Sequence, residues 1–284
     1  MTTDKINLIG VQETLLLPLW GRAIETKKEI PLLFDNTAVR IIENIGYDFS
    51  IIKEKVHPLS RASWIARSIY FDNIIKLFLE NHPEGSIINI GCGLDTTYER
   101  VNNDKAIWYE LDFPEVIEIR KKYIAENPKR RFLPYSVFDN KWYEQIENKK
   151  DVFIMMAGVI YYFEENQVRC LFETIATEFE HCDIVFDYCS PKGVQIANKK
   201  VIENGGMDKD AYLKWGTANI YEMEKWNEKI SVIQHMKMFS EHRKKYPITK
   251  RLGMIISDAL SVMSLAHIKI KQVPNLFNPS EPDR

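Results

Sequence analysis

Four cysteines in 284 residues, none in a CxxC or other metal-like spacing, leave no disulfide framework and no thiolate metal site to build on. Cys92, Cys170, Cys182 and Cys189 are therefore expected to be reduced and mostly packing residues. A long apolar run is also lacking. The longest stretches, 152–159 and 255–266, are too short or too interrupted to cross a bilayer, and residues 1–8 have no signal-peptide core. A cytoplasmic protein with no membrane partner is expected. Charge of one sign is missing as well. The net charge is −2, and the basic clusters Lys27-Lys28, Lys129-Arg130-Arg131 and Arg243-Lys244-Lys245 are bordered by acids or apolar positions. With no single basic tract to follow a phosphate backbone, nucleic acid is not an expected partner. Internal repeats and low-complexity tracts are absent too.

The composition that remains, 45% hydrophobic and 27% charged, is that of a globular chain with one sizeable core and additions to it. Short apolar runs at 86–90, 106–111, 131–135, 151–157, 183–187, 231–239 and 265–271 read as strands. Amphipathic helices fit 114–126, 164–178 and 249–263. This alternation predicts an α/β fold, a doubly wound, mostly parallel seven-stranded sheet. Helical spacing at 14–24, 32–45 and 63–79 makes residues 1–84 an N-terminal helical cap. The α/β domain then runs over 85–273, with an insertion at about 193–229 hinged at Gly205-Gly206, and 274–284 is a tail. Ligands of open α/β sheets bind beyond the carboxyl ends of the strands, so cap and insertion are expected to wall that mouth.

After the first strand comes Gly91-Cys92-Gly93-Leu94-Asp95-Thr96, a turn in which the glycines let a ligand approach the backbone. It departs from GxGxxG at Thr96, and Asp95, with a Thr96/Glu99 capping box, occupies the helix start. Carboxylates there oppose a pyrophosphate but suit S-adenosylmethionine, which has no phosphate and carries a sulfonium and an ammonium. A tight capped turn without a ligand remains the alternative for the glycines alone. The second strand ends Glu110-Leu111-Asp112, with acids about twenty residues past the glycines, where a carboxylate can accept from ribose hydroxyls. Asp112 is the better candidate. Glu110 shares its face, and one of the two is expected to be merely solvated. Phe138-Asp139 after the third strand offers a ring and a carboxylate to an adenine, or else a core ring and a helix cap. The fourth strand ends Met156-Ala157-Gly158-Val159, small residues that let the donor's reactive end sit against the backbone, or else Gly158 simply serves a turn.

Transfer of a methyl group from such a donor is an in-line displacement, accelerated by holding the reactants at near-attack distance, so no nucleophilic triad is required. No catalytic residue is assigned. Residues 157–161 lack the Asn/Asp-Pro-Pro-aromatic run of base-amine methylation, and no carboxylate pair has metal spacing, so no metal is expected. His57, His82 and His267 read as structural. His235 in the sixth strand could face the acceptor and act as a base, while Tyr161, Tyr162 and Tyr188 lie at strand ends as pocket wall or acceptor contacts.

The string Ile87-Ile88-Asn89-Ile90-Gly91-Cys92-Gly93-Leu94-Asp95-Thr96, then Arg100 and Glu110-Leu111-Asp112-Phe113-Pro114-Glu115-Val116-Ile117, resembles the leucine carboxyl methyltransferase superfamily. With Thr14, Gly21-Arg22-Ala23 and residues 31–35 upstream, the chain is most similar to its bacterial O-methyltransferase branch, related to a tetracenomycin polyketide enzyme. The resemblance implies a class I methyltransferase fold, S-adenosylmethionine as donor and a carboxylate or hydroxyl of a small molecule as acceptor. It implies that Arg67 holds the donor's carboxylate, for which a guanidinium fork is suited. Asp112, with Phe113 beside it, matches the ribose position, and Phe138 and Asp139 match the adenine position. Arg22 matches a basic position of the cap or pairs with Asp35. The chain departs from the family pattern at Thr97, Cys92 and Ala157. The carboxyl methyltransferases proper carry glutamate at the last of these, which favours a small acceptor over a protein terminus. Two rival expectations are a protein that binds or senses the donor without turnover, and a nicotinamide-dependent oxidoreductase.

Overall fold

The structure is a computed structural model that describes residues 11–50, 56–203 and 211–271. Gly205-Gly206 and the tail 274–284 lie outside the described residues.

Among the described residues, three helices precede the sheet: α1 (Val11–Thr26), α2 (Asn36–Asn44) and α3 (Pro58–Asn81). α2 starts four residues later than its apolar spacing predicts, because Asp35 is its N-cap and accepts from the Ala38 N–H. α3 starts five residues early, with Pro58 in its first turn and the His57 side chain accepting from Leu59 N–H. Then β1 (Ser86–Ile90), α4 (Thr97–Val101), β2 (Ile107–Asp112), α5 (Pro114–Lys121), β3 (Arg130–Pro134), α6 (Lys141–Glu144) and β4 (Val152–Met156) follow. The chain continues through α7 (Glu165–Glu178), β5 (Cys182–Cys189), α8 (Pro191–Ala197), β6 (Ile230–Lys237), α9 (Ile248–Ala259) and β7 (Met263–Ile270). The last helix stops short of its expected end at 263. Ser261 has positive φ (49°) and Met263 already pairs with Cys189.

The seven strands form one sheet in the order β3-β2-β1-β4-β5-β7-β6. The first five are parallel, and β7 is antiparallel to both neighbours. This is the doubly wound, mostly parallel α/β architecture predicted. Strand residues divide between the two faces with period two. Ile88, Ile90, Tyr109, Leu111, Ile154, Met156 and Phe186 bury toward α7 and the segment containing Trp215 and Met223. Ile87, Trp108, Phe153, Met155 and Val185 bury toward α3. α1 and α2 form a third cluster with Cys92 and Leu94 of the glycine turn and Ile117 of α5.

The strand order reverses between β1 and β4. Ile90 is level with Leu111 on one side and Met156 on the other, and Met156 is level with Phe186. The residues that follow, Gly91, Asp112, Ala157 and Asp187, therefore emerge side by side at one edge of the sheet.

At the start of α8, Gly193 packs so closely on the turn before β7 that a Cβ would lie 2.1 Å from the Val262 carbonyl oxygen. Backbone has to move to admit it. Gly193→Ala is expected to cost about 1–3 kcal/mol, read as a lower urea midpoint at unchanged slope. An unchanged midpoint would show that this junction is not tightly packed.

Candidate functional site

The glycine turn is shaped by backbone that only glycine tolerates well. Gly91 and Gly93 have φ of +65° and +45°, and Gly158 beyond β4 has +78°. A Cβ on Gly91 would lie 2.5 Å from Val159 Cγ2, on Gly93 2.8 Å from Leu15 Cδ2, and on Gly158 2.9 Å from Arg67 Nη1. The Gly91 and Cys92 N–H groups donate to the Leu111 carbonyl (2.8 and 3.1 Å), which moors the turn to β2. The expected capping box does not form. Asp95 caps instead, accepting from Thr97 N–H (2.8 Å), while Thr96 directs its hydroxyl to Asp35 and Glu99 pairs with Arg130 (2.8 Å). Thr96 and Glu99 are drawn away by stronger, charged partners than a cap offers.

Asp112 stands over this turn. Its Oδ2 accepts from Gly93 N–H and its Oδ1 from Phe113 N–H, each at 2.8 Å. Burial pushes its carboxyl above the usual range despite those two N–H groups. Glu110 is not solvated, contrary to expectation. It is buried and bonded to Arg120 (2.8 Å), with Arg130 at 3.4 Å, so a neighbouring pair of guanidiniums takes the place of water. Phe113 and Phe138 are 55% and 40% exposed, and Phe138 meets Phe163 edge-on at 4.8 Å. Asp139 Oδ1 accepts from Lys141 N–H (3.0 Å), the capping role weighed against adenine contact.

Between the turn and β4 lies a cavity of about 190 Å³. Gly91, Cys92, Gly93, Ala157, Gly158, Tyr161 and Tyr162 line it, with Arg22 and Arg67. Leu15 and Pro18 of α1, Ser60 and Trp64 of α3, and Ala197 and Leu213 complete the wall, so helices from before β1 and residues from the region after β5 both close the mouth. Arg67 projects from α3 and donates to Asp187 Oδ2 (2.8 Å), whose Oδ1 accepts from Gly158 N–H (2.7 Å). Asp187 was not singled out in the sequence. An acid at the carboxyl end of β5, one strand from Ala157-Gly158, was the available signal.

Arg22 makes the expected pair with Asp35 and also borders the cavity. It lines the cavity, and its Nε donates to Asp35 Oδ2 (2.8 Å) with Nη1 3.8 Å from Asp95. Asp35 is 2% exposed and also receives Arg100 Nη1 (3.0 Å) and the Thr96 hydroxyl. Arg100 in turn binds Asp72 of α3 through Nε (2.8 Å) and Nη2 (2.9 Å). One buried ionic cluster thus joins α1, α2, α3 and the glycine turn. Asp72 and Arg100 carried no site role in the sequence reading.

Tyr188 and His235 are brought together, Oη to Nδ1 at 2.8 Å, but neither lines the cavity. Tyr188 points to the sheet face away from α3, and burial, then Lys237, lowers the imidazole's pKa. Of the cysteines, Cys92, Cys182 and Cys189 are buried while Cys170 is exposed, on the outer side of α7.

Burial works against the Asp35 carboxylate, yet Arg22, Arg100 and Thr96 hold its pKa below the ordinary value. The stability it contributes is therefore complete above the unfolded pKa, about 3.9, and is lost as pH falls through the folded value. Asp35→Ala leaves two buried guanidiniums short of a partner and is expected to cost about 3–5 kcal/mol in chemical denaturation. Asp35→Asn should flatten the acid limb of the stability profile. A variant as stable as the wild type would show the cluster to be energetically idle.

The family model described as leucine carboxyl methyltransferase matches residues 16–176. Tetracenomycin polyketide synthesis O-methyltransferase TcmP of Streptomyces glaucescens is 27% identical over 223 residues, covering 78% of this chain and 80% of that one. The S-adenosyl-L-methionine-dependent methyltransferase dpfgK of Gibberella zeae is 26% identical over 189 residues, 62% of this chain and 63% of that one. Among solved structures, the plantazolicin methyltransferase BpumL, crystallised with S-adenosylhomocysteine and a triazolic desmethylPZN analogue, shares the fold with a TM-score of 0.50 at 15% identity, covering 93% of this chain and all of that one. Matched over more than half its length by that model, the chain belongs to the leucine carboxyl methyltransferase family and is an S-adenosylmethionine-dependent methyltransferase.

Proposed function

We propose that this enzyme methylates an oxygen of a small molecule that arrives as an anion, a carboxylate or an acidic hydroxyl. The observation that carries the reading is the make-up of the cavity wall, which among the described residues has guanidiniums and no competent base. Arg22 and Arg67 line it, while no histidine does. Burial opposes ionisation of Asp95, but Arg22 and Arg100 overcome it and hold the carboxyl well below the usual range, leaving it a poor proton acceptor. Burial pushes the Tyr161 phenol well above its ordinary pKa and Tyr162 up to about 12, so both are hydrogen-bond donors at neutral pH. A wall of this kind does not remove a proton; it suits an oxygen that has already lost one.

The donor fits the residues present. S-adenosylmethionine supplies a methyl group made electrophilic by its sulfonium. Gly91, Gly93 and Gly158 line the cavity with bare backbone, and a Cβ there would displace Val159, Leu15 or Arg67 from around it. At about 190 Å³ the cavity is smaller than a site for the whole molecule, for which about 300 Å³ or more is usual, and fits its amino-acid end. In our reading the nucleoside lies outward along the strand ends, where Asp112 accepts from ribose hydroxyls, Phe113 flanks it, Phe138 stacks on the adenine and Asp139 takes its amine. Arg67 receives the amino-acid carboxylate, with Asp187 fixing the guanidinium against Gly158. Leu15, Pro18, Trp64 and Leu213 exclude water, which strengthens the attraction between anionic acceptor and cationic donor. Rate acceleration then comes from alignment, not from a covalent step.

In calorimetric titration with the donor, Asp112→Ala is expected to weaken binding by about 1–3 kcal/mol, the scale of a lost buried hydrogen-bond partner. Because burial raises the Asp112 carboxyl, wild-type affinity should fall on acidification through a range above that of an ordinary aspartate, and Asp112→Asn should lose this dependence. Equal affinity in all three proteins would remove Asp112 from the site. The acceptor class is tested by assaying methyl transfer to panels of carboxylic acids, acidic phenols and amines. Methyl esters or ethers are expected. Transfer to amines alone would overturn the reading, and donor binding with no product from any panel would favour a sensing role.

A further inference from the structure

The side of α9 that faces solvent is apolar. Ile248, Leu252, Ile255 and Ile256 recur at helical spacing, and Ile248, Leu252 and Ile256 are 77%, 65% and 51% exposed. Met254 and Asp258, on the other side, are buried, and Gly253 packs against Leu59 of α3. A surface helix ordinarily turns its polar side outward. An aliphatic stripe presented to water is unfavourable by the hydrophobic cost of each side chain, and it marks a surface that something covers.

The charge around that stripe has one sign. From residue 242 to 257 the chain holds Arg243, Lys244, Lys245, Lys250 and Arg251 and no aspartate or glutamate; Glu241 and the buried Asp258 border the stretch. Lys244 and Lys245 are exposed in the turn that leads into α9. Arg251 donates to the Tyr246 and Lys244 carbonyls, both at 2.7 Å, and so fixes that turn to the helix. The lysines and the stripe are thereby held as one rigid surface.

We propose that α9 docks on an anionic lipid surface, with its aliphatic stripe at the boundary between headgroups and acyl chains and the lysines of the preceding turn on the headgroups. Three observations favour this occupant. A second copy would bring two identical cationic segments into one interface, which repel. The stripe is convex and wholly aliphatic, without the Trp or Tyr anchors that dominate protein–protein interfaces. At 12 residues α9 is about 18 Å long, too short to cross a bilayer core of about 30 Å but suited to lie along it. No helix among the described residues is long and apolar enough to cross a membrane, and a helix lying in the interface needs no such span. The inference revises the expectation of no membrane partner, which rested on spanning segments, and it is independent of the methyl acceptor.

The test is cosedimentation of the full chain with phosphatidylcholine vesicles, with and without phosphatidylglycerol, at low and high salt, with sedimentation velocity run in parallel. The wild type is expected to pellet with the anionic vesicles, less so at high salt, and to remain in solution with phosphatidylcholine alone. Leu252→Glu/Ile256→Glu should reduce the bound fraction by about tenfold or more, and Lys244→Glu/Lys245→Glu should reduce it at low salt. All substituted positions are exposed, and unchanged donor affinity will show that the variants are folded. Absence of binding to anionic vesicles overturns the proposal, as does binding that neither variant alters. A dimer that the Leu252→Glu/Ile256→Glu change dissociates, without lipid binding, would assign the stripe to a second copy instead.

Discussion

The buried carboxylate of Asp35 is the joint on which the candidate site depends. It caps α2 through Ala38 N–H, takes Arg22 from α1, and takes Arg100 and Thr96 from the segment that follows the glycine turn. Without it, two guanidiniums would be left in a dry interior, a penalty larger than the pairing itself is worth. The helices before β1 are therefore fastened to the turn by charge as well as by the apolar contacts of Leu16, Leu19 and Trp20. Such fastening matters because positive φ at Gly91 and Gly93 gives the turn no conformational preference of its own. Its shape is held by its neighbours: β2 below, Asp112 beside it and the ionic cluster behind.

A second buried carboxylate does the same for the far wall. Asp187 bridges Arg67 of α3 and the Gly158 N–H beyond β4, so one residue sets the separation between a guanidinium and a glycine turn that approach from different elements. Both arrangements are directed, charge-assisted hydrogen bonds in low dielectric, which fix geometry more sharply than apolar contact does. The cleft is in this sense preorganised: its cations are already desolvated and aimed before any ligand enters.

Much of the fold was legible in the sequence because parallel strands buried on both faces read as short, nearly continuous apolar runs. Ser86–Ile90 and Val152–Met156 stand out for that reason, and every expected strand is found within three residues at either end. Helix ends were read less well where a capping side chain or a left-handed backbone residue decides them, as Asp35 does for α2 and Ser261 does after α9. The glycine turn and Asp112 were visible because residue type, spacing and strand order pointed the same way, whereas Arg67 was singled out only through the family resemblance. Long-range partners were not. Arg67 and Asp187 are 120 residues apart, and Arg100 and Asp72 are 28 apart. No local pattern encodes such pairings. The capping box at Thr96 failed for the same reason, since a local rule lost to the distant charge of Asp35. His235, one candidate to face the acceptor, lies with Tyr188 on the sheet face away from α3, because alternation along β5 and the bulge at Val232/Gln234 in β6 place them there.

The account stands on one geometric claim: a cleft of glycine backbone, carboxylate and guanidinium receives a cationic, phosphate-free nucleoside at the carboxyl ends of β1, β2 and β4. Its most direct measurement is a crystal structure of the enzyme with S-adenosylhomocysteine. The account predicts ribose hydroxyls within hydrogen-bonding distance of Asp112 and the amino-acid carboxylate at Arg67. A ligand bound elsewhere, with Asp112 still engaged by Gly93 and Phe113 alone, would contradict it.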